Sequence, residues 1–364
     1  MTAGGSQFLV SSQPVVKIDG QAIGGMSQGC FRLETMEDDT GLASLEAVFL
    51  NLDRQEPGKP VDFLYFDRKV VDFGKRIEIG FDAGKGLKTV FQGVITAIGG
   101  DYPEAREPEL ILHAEDALAQ ARMRRRTRVF ENATDGDIVR QVAGDAGLSP
   151  DVQIDGPSHV QHWQVNQSDL ALLRERVDAQ DGLMTVHDRD FAAGDRAAAA
   201  DPPIKLTNYN ELHRFSVMAD LAHQRAKVRV HGWDVAGKQA IHGVAEASEA
   251  KSIAAGGGRT GPEILAEIWP DAAEDLHLEM PATSDEADGL AKAHMRRRAR
   301  AFVRGRGTAT GNPDLKVGVR VELLDLGPFF TGVYQLTSVR HCFDMASGYR
   351  TLFEASRAAL GEGS

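Results

Sequence analysis

The chain has 364 residues and a formal charge of −12. That length allows two or three domains of roughly 100–200 residues each. The acidic balance argues against a protein that coats nucleic acid, whose usual footprint is a basic face.

Two cysteines, Cys30 and Cys342, stand far apart. A disulfide framework is not expected, a reducing compartment is the default, and both read as small buried apolar residues. No stretch approaches the ~20 apolar residues of a membrane span. The N-terminus MTAGGSQFLVSSQP lacks the basic and long apolar regions of a secretion signal.

Residues 14–120 read as β. Leu45 to Leu52 is apolar on both faces of its alternation, which predicts burial on both. Ile77, Ile79 and Phe81 alternate with Glu78 and Gly80, the pattern of a half-buried strand. Thr89 to Ile98 is β-branched and aromatic, and Leu110, Leu112 and Ala114 close the run. Short intervals between glycine breaks favour a barrel or a sandwich. Thr134 then caps a helix carrying Ile138, Val139, Val142 and Ala146, with Gly147 and Pro150 at its end.

From Val160 to His187 the pattern is strand, capped helix, strand. Ser168 is the N-cap. Leu170, Leu173 and Val177 form the apolar face, with Arg174, Glu175, Arg176 and Asp178 turned away. Asp181-Gly182 ends the helix, the glycine taking the left-handed position. Residues 192–203, AAGDRAAAADPP, read as a loop or linker. Lys227 to His231 alternates as a strand, Ala254 to Gly261 reads as a mobile loop, and Ser284 to Arg300 reads as a helix. Residues 315–354 return to β, with Val317, Val319, Val321 and Leu323 on one face.

Two distant blocks repeat. Gly74, Arg76 and Glu78, then Phe91 and Gly93, match Gly318, Arg320 and Glu322, then Phe330 and Gly332. The offsets are 318 − 74 = 244 and 330 − 91 = 239, so the turn between them changes length. A repeat at this scale predicts a duplicated domain, not a solenoid. The fold expected is α+β and β-rich, with two similar antiparallel β-barrels in one chain and an inserted helical α+β region. The divisions are 1–120 for the first barrel, 121–200 for the α+β region with capped helices, and 201–364 for the second barrel, with an inserted helix near 284–300.

The run Asn166 to Leu170, Leu173-Arg174 and Asp181-Gly182-Leu183 resembles the central signature of the phage late control D proteins. That family is similar to contractile-tail baseplate hubs and to the N-terminal hub half of VgrG-type spike proteins. Gly305 to Leu315, Gly318, Gly332 to Tyr334, His341 and Gly348 to Thr351 are similar to its C-terminal barrel. VgrG-type proteins continue into an OB-fold and a needle, whereas this sequence ends at Ser364. The resemblance therefore implies a hub whose piercing spike is another polypeptide.

Other motifs point less far. Gly305-x-Gly307-x-x-x-Gly311 lacks dinucleotide spacing and reads as a turn entering the second barrel. The arginine runs at 122–128 and 296–306 read as solvated or salt-bridging faces. Contact with neighbouring subunits is their functional version, which makes Arg124, Arg125, Arg297 and Arg298 candidate interface residues. Trp163 and Trp233 read as core anchors, and Trp269 as an interface anchor. The eleven histidines have no metal-ligand spacing, there is no G-x-S-x-G, and no carboxylate pair stands out. No catalytic, cofactor or metal residue is assigned.

The resemblance implies a structural baseplate hub of a contractile phage tail or related injection system. It would be a homotrimer whose six barrels adapt a threefold spike to a sixfold tube. It would be made in the bacterial cytoplasm and assembled into a virion tail or injection-particle baseplate. Expected partners are its own copies, a separate spike protein, the tail tube protein and other baseplate proteins, with nucleic acid only as passing cargo. No enzyme activity, cofactor or membrane insertion is expected. The rival reading is a peptidoglycan hydrolase delivered by the same machine, and a third is a polymer-binding module.

Overall fold

Alternating apolar residues build two sets of six strands, and each set wraps a core of its own. The computed structural model describes residues 13–53, 62–82, 84, 86–104, 106–196, 201–255, 257–277 and 281–361. Most of the stretch weighed as a leader, residues 197–200 of the expected 192–203 loop and Gly256 lie outside the described residues. The start of that expected loop is instead strand, since Asp190–Asp195 pairs with Gly182–His187.

The first set is Val15–Ile18, Cys30–Asp38, Ser44–Leu50, Arg76–Asp82, Leu87–Asp101 and Glu109–Glu115. The second is Ile204–Thr207, Leu212–Ala219, Val303–Thr310, Arg320–Leu324, Gly332–Asp344 and Gly348–Arg357. In both, the strands lie side by side in the order first, fourth, fifth, sixth, third, second. One strand departs from the match. The first strand is antiparallel to the fourth in the first barrel and parallel to it in the second.

The equivalence extends to irregularities. Second and third strands slip register at Phe31 in one barrel and at His213 in the other. Fifth and sixth strands slip at Thr96 and at Thr337. An extra residue of this kind bends a strand and sharpens its twist, so both barrels curl at the same places.

The barrels are fused. Ser338–Asp344 of the second pairs antiparallel with Arg32–Asp38 of the first, making one 13-stranded sheet. Phe343 and Tyr349 reach into the first core beside Ile77, Ile79 and Phe49. The Tyr349 ring stacks on Phe81 with centroids 3.7 Å apart.

The α+β region packs Ile138, Val139, Val142, Leu170, Leu173 and Val177 into a separate core. Its helix Asp135–Asp145 starts with a capping box between Thr134 and Asp137. The helix Asp169–Ala179 is capped by the Ser168 hydroxyl, which accepts from the Ala171 amide at 3.2 Å. Its end differs from expectation. Asp181 takes the left-handed conformation (φ 56) and Gly182 opens the next strand. Gly182 is needed there for space, because a Cβ would lie 2.9 Å from Val177 Cγ1. Arg176 also turns inward, donating to buried Asp135 at 3.1 Å.

A second insertion separates the second and third strands of the second barrel. It holds the strands Lys227–Asp234, Gln239–Glu246 and Ala273–Leu276 packed on the helix Ser284–Arg300. The stretch expected to be a mobile loop is tied down at its end: Arg259–Thr260 pairs with Ala359–Leu360.

Candidate functional site

The repeated residues form two matching hairpins. The amide of Gly74 donates to the carbonyl of Ile95 at 3.0 Å, and the amide of Ile95 to Lys75 at 2.9 Å. In the second barrel Gly318 donates to Leu336 at 2.9 Å, and Leu336 to Val319 at 2.9 Å. Both glycines sit at positive φ, 80° and 83°, where a side chain would be strained.

Glu78 accepts from Lys17 at 2.8 Å, and Glu322 stands 3.6 Å from Lys205, each lysine on the first strand of its barrel. Arg76 pairs with Asp188 of the α+β region, and Arg320 donates to the carbonyl of Asp201 at 2.8 Å. The Phe and Gly matches are out of register. Ile95 and Leu336 are equivalent by their hydrogen bonds, so Phe91 corresponds to Gly332, and Gly93 to Tyr334. Phe91 is buried in its barrel, whereas Phe330 ends the short helix Gly327–Phe330 and packs on the second core from outside the strand. By these hydrogen bonds the hairpin is three residues longer in the first barrel (95 − 74 = 21) than in the second (336 − 318 = 18), not the five that the sequence offsets implied.

A cleft of about 720 Å³ opens where the two barrels and the α+β region meet. Glu37, Asp116, Lys316 and His341 line it. Burial pushes the Glu37 carboxyl up to about 7, against the opposing pull of Lys316. Burial likewise lifts Asp116 to about 6. Asp116 accepts from the amides of Ala43 at 2.7 Å and Leu118 at 2.9 Å. Its two oxygens, each accepting one backbone amide, therefore hold two segments together. Burial holds His341 down to about 3, and its Nδ1 lies 2.8 Å from the Tyr349 hydroxyl. Among the described residues no group of His, Cys, Asp and Glu is arranged to hold a metal ion. No helix of the described residues is long and apolar enough to cross a membrane.

The candidate interface residues are not brought together. Arg124 donates to the carbonyl of Asp145 and Arg125 to that of Asn166. Arg298 grips both oxygens of Glu274, while Arg297 reaches the Asp178 carbonyl at 2.7 Å. Trp269 is 60% exposed just beyond the helix Gly261–Ile268.

Trp163 and Trp233 are not core anchors: they are 57% and 51% exposed, on outward faces of strands. Cys30 is buried, but Cys342 is only half-buried, 3.8 Å from the Glu34 carboxylate. The glycines at 305, 307 and 311 serve no turn into the barrel. Each lies under a ring, and a Cβ would come within 2.2 Å of Phe215, Phe353 and Tyr349 respectively. Sequence reading also passed over Phe73, Tyr102 and Met218, all more than 60% exposed. For Phe73 and Tyr102 the available signal was an aromatic side chain beside Gly74 or Pro103, whereas Met218, between Val217 and Ala219, carried no such signal.

No curated protein matches the chain. A sequence model of the family described as Alg8 N-terminal domain matches residues 58–344. In fold the chain is similar to the 43 kDa tail protein of prophage MuSo2 from Shewanella oneidensis. Identity is 14%, the TM-score is 0.67, and the match covers 95% of this chain and 98% of that one. It is similar to the tail protein of Neisseria meningitidis MC58 at 12% identity and a TM-score of 0.67, covering 96% and 98%. It is also similar to the Escherichia coli c3393 protein, described as a component of the type VI secretion system. There identity is 13% and the TM-score 0.56, covering 96% of this chain and 79% of that one. The β-rich, two-barrel fold implied by the resemblance of Asn166–Leu170 and Gly305–Leu315 is thus the fold of known tail proteins. The chain belongs to the Alg8 N-terminal domain family and has the fold of these phage tail proteins.

Proposed function

We propose that the chain is a structural hub in the baseplate of a contractile phage tail or a related injection system. It works as a homotrimer joining a threefold spike to a sixfold tail tube. The observation that carries this is the duplicated barrel, with one strand order and the same register slips in both copies. Three chains with two such barrels present six similar faces in one ring, about 60° apart under closed cyclic symmetry. A threefold object can then meet a sixfold one without a symmetry mismatch at each contact. The likeness to tail proteins supports the same role.

The cleft supports a mechanical role over a catalytic one. Its buried carboxylate Asp116 is engaged by backbone amides at the joint between domains. The partners under this reading are the spike, the tube and neighbouring baseplate proteins, with cargo passing through the ring. Native mass spectrometry with the spike should give about three times 39.4 kDa for the hub component. A chain that stays monomeric with its spike bound ends this reading. Release of peptidoglycan fragments, abolished by changing one carboxylate, would favour the hydrolase instead.

A further inference from the structure

We propose that the ring closes through two open sheet edges. The strand Leu87–Asp101 of one copy pairs antiparallel with Leu212–Ala219 of the next, in a register that the chain already contains. This rests on the ring reading above and names the surface that makes it.

The template is the junction inside the chain. In the second barrel the fifth strand, Gly332–Asp344, outruns its neighbour Arg320–Leu324. The side left vacant takes Arg32–Asp38, the second strand of the first barrel. The first barrel has the same geometry with the place empty. Leu87–Asp101 outruns Arg76–Asp82, whose pairing stops at Val94. From Ala97 to Asp101 no described strand takes that side. The second barrel supplies the other half. Its second strand, Leu212–Ala219, pairs along its length, among the described residues, only with Val303–Thr310 and ends the sheet there. Each chain thus carries both halves of a second junction on different barrels. Unpaired strand edges are templates for further pairing, and a head-to-tail contact of this kind generates a ring when the rotation closes.

Burial points the same way. By barrel equivalence Phe73 and Tyr102 correspond to Val317 and Phe343. At the internal junction Val317 and Phe343 are 6% and 5% exposed. Their counterparts at the open edge are 63% and 62% exposed. Met218, the counterpart of Met36, is 69% exposed on the opposite edge. A second copy covers all three in one contact.

The register follows by transfer. Inside the chain Asp38 faces Ser338, Met36 faces Arg340 and Glu34 faces Cys342. The equivalent pairs between copies are Asp220 with Ala97, Met218 with Gly99 and Ser216 with Asp101. A Cβ on Gly99, the residue placed across from Met218, would meet nothing nearer than Ile111 at 3.6 Å. This position therefore leaves space for the Met218 side chain, as glycine does where another chain approaches closely.

The test uses disulfide trapping. Glu34→Cys calibrates it, because this thiol faces native Cys342 and should close a bond within one chain. In a Cys342→Ser background, Asp101→Cys with Ser216→Cys should link neighbouring copies on oxidation. The monomer band on a non-reducing gel should give way to dimer and trimer. Either cysteine alone should leave the monomer. Asp101→Cys with Met218→Cys is slipped by two residues, about 7 Å, beyond disulfide reach, and should link far more slowly. Tyr102→Asp should turn the trimer into monomer with its circular dichroism unchanged.

A trimer that does not link, links faster through the slipped pair, or survives Tyr102→Asp overturns this junction and leaves the ring reading standing. A chain that is monomeric even with the spike overturns both.

Discussion

Two side chains, Leu173 and Glu37, show how burial sets individual energies. Leu173 is fully buried in the core of the α+β region. Leu173→Ala should lower unfolding stability by about 2–5 kcal/mol, the usual cost of lost contacts plus a cavity. Denaturant midpoints check this, and an unchanged midpoint would contradict the packing. Glu37 behaves differently because its protonation is linked to folding. Burial raises it from 4.5 to about 7, so the native state binds this proton more tightly than the unfolded chain does. The stabilisation it contributes is complete below about pH 4.5 and is lost as pH rises through about 7. The loss is on the order of 3 kcal/mol, at about 1.4 kcal/mol per pH unit. Glu37→Gln keeps an acceptor for the Val317 amide and cannot ionise. Its urea midpoint should therefore fall less between pH 5 and pH 8 than that of the unaltered protein. Parallel curves for the two proteins would rule out this account of Glu37. The Ser168 cap was legible from the sequence. The inward turn of Arg176 was not, since its partner Asp135 lies on another helix.

At the scale of elements, the strand Val303–Thr310 is built around missing side chains. Gly305 and Gly307 let the rings of Phe215 and Phe353 come close to the backbone, where a Cβ would stand 2.2 Å from each ring. Gly307→Ala forces a Cβ toward Phe353 and should cost about 1–3 kcal/mol, as overpacking does. Combining it with Phe353→Leu should recover part of that loss, because neighbours in contact are not additive. Additive losses in thermal melts would mean that the ring does not explain the glycine. The spacing of these glycines was visible in the sequence, but their purpose was not. The rings come from strands 90 and 46 residues away in sequence (305 − 215 and 353 − 307). The repeat was legible in the same partial way. Gly74 and Gly318 mark equivalent turns, yet the Phe-x-Gly match was displaced because only hydrogen bonds define which residues face one another.

For the whole molecule, charge and symmetry make separate predictions. With a formal charge of −12, the protein should show no salt-sensitive binding of double-stranded DNA, since such binding needs many basic contacts to phosphate. A mobility shift at low salt that disappears as salt rises would contradict this. The ring, if closed as proposed, should bury a contact well above 1,000 Å² per junction and cover Phe73, Tyr102 and Met218. Hydrogen exchange at the amides of Ala97–Asp101 should slow on assembly while that of Val303–Thr310 stays as it was. Equal exchange in monomer and trimer would place the contact elsewhere.

Local pattern determined strands such as Arg76–Asp82 and the helix caps at Thr134 and Ser168, because apolar alternation and N-caps act over a few residues. The repeat around Gly74 and Gly318 pointed to two barrels. Three matters were decided only in three dimensions. Trp163 and Trp233 look like core residues in sequence, and their outward position depends on which face of a strand meets a neighbour. The fusion of the barrels through Ser338–Asp344 and Arg32–Asp38 joins segments about 300 residues apart, and no local pattern encodes such pairing. Last, the edge at Ala97–Asp101 is open only because the strand beside it ends early. That difference in length between neighbours becomes a vacancy only once the sheet is formed.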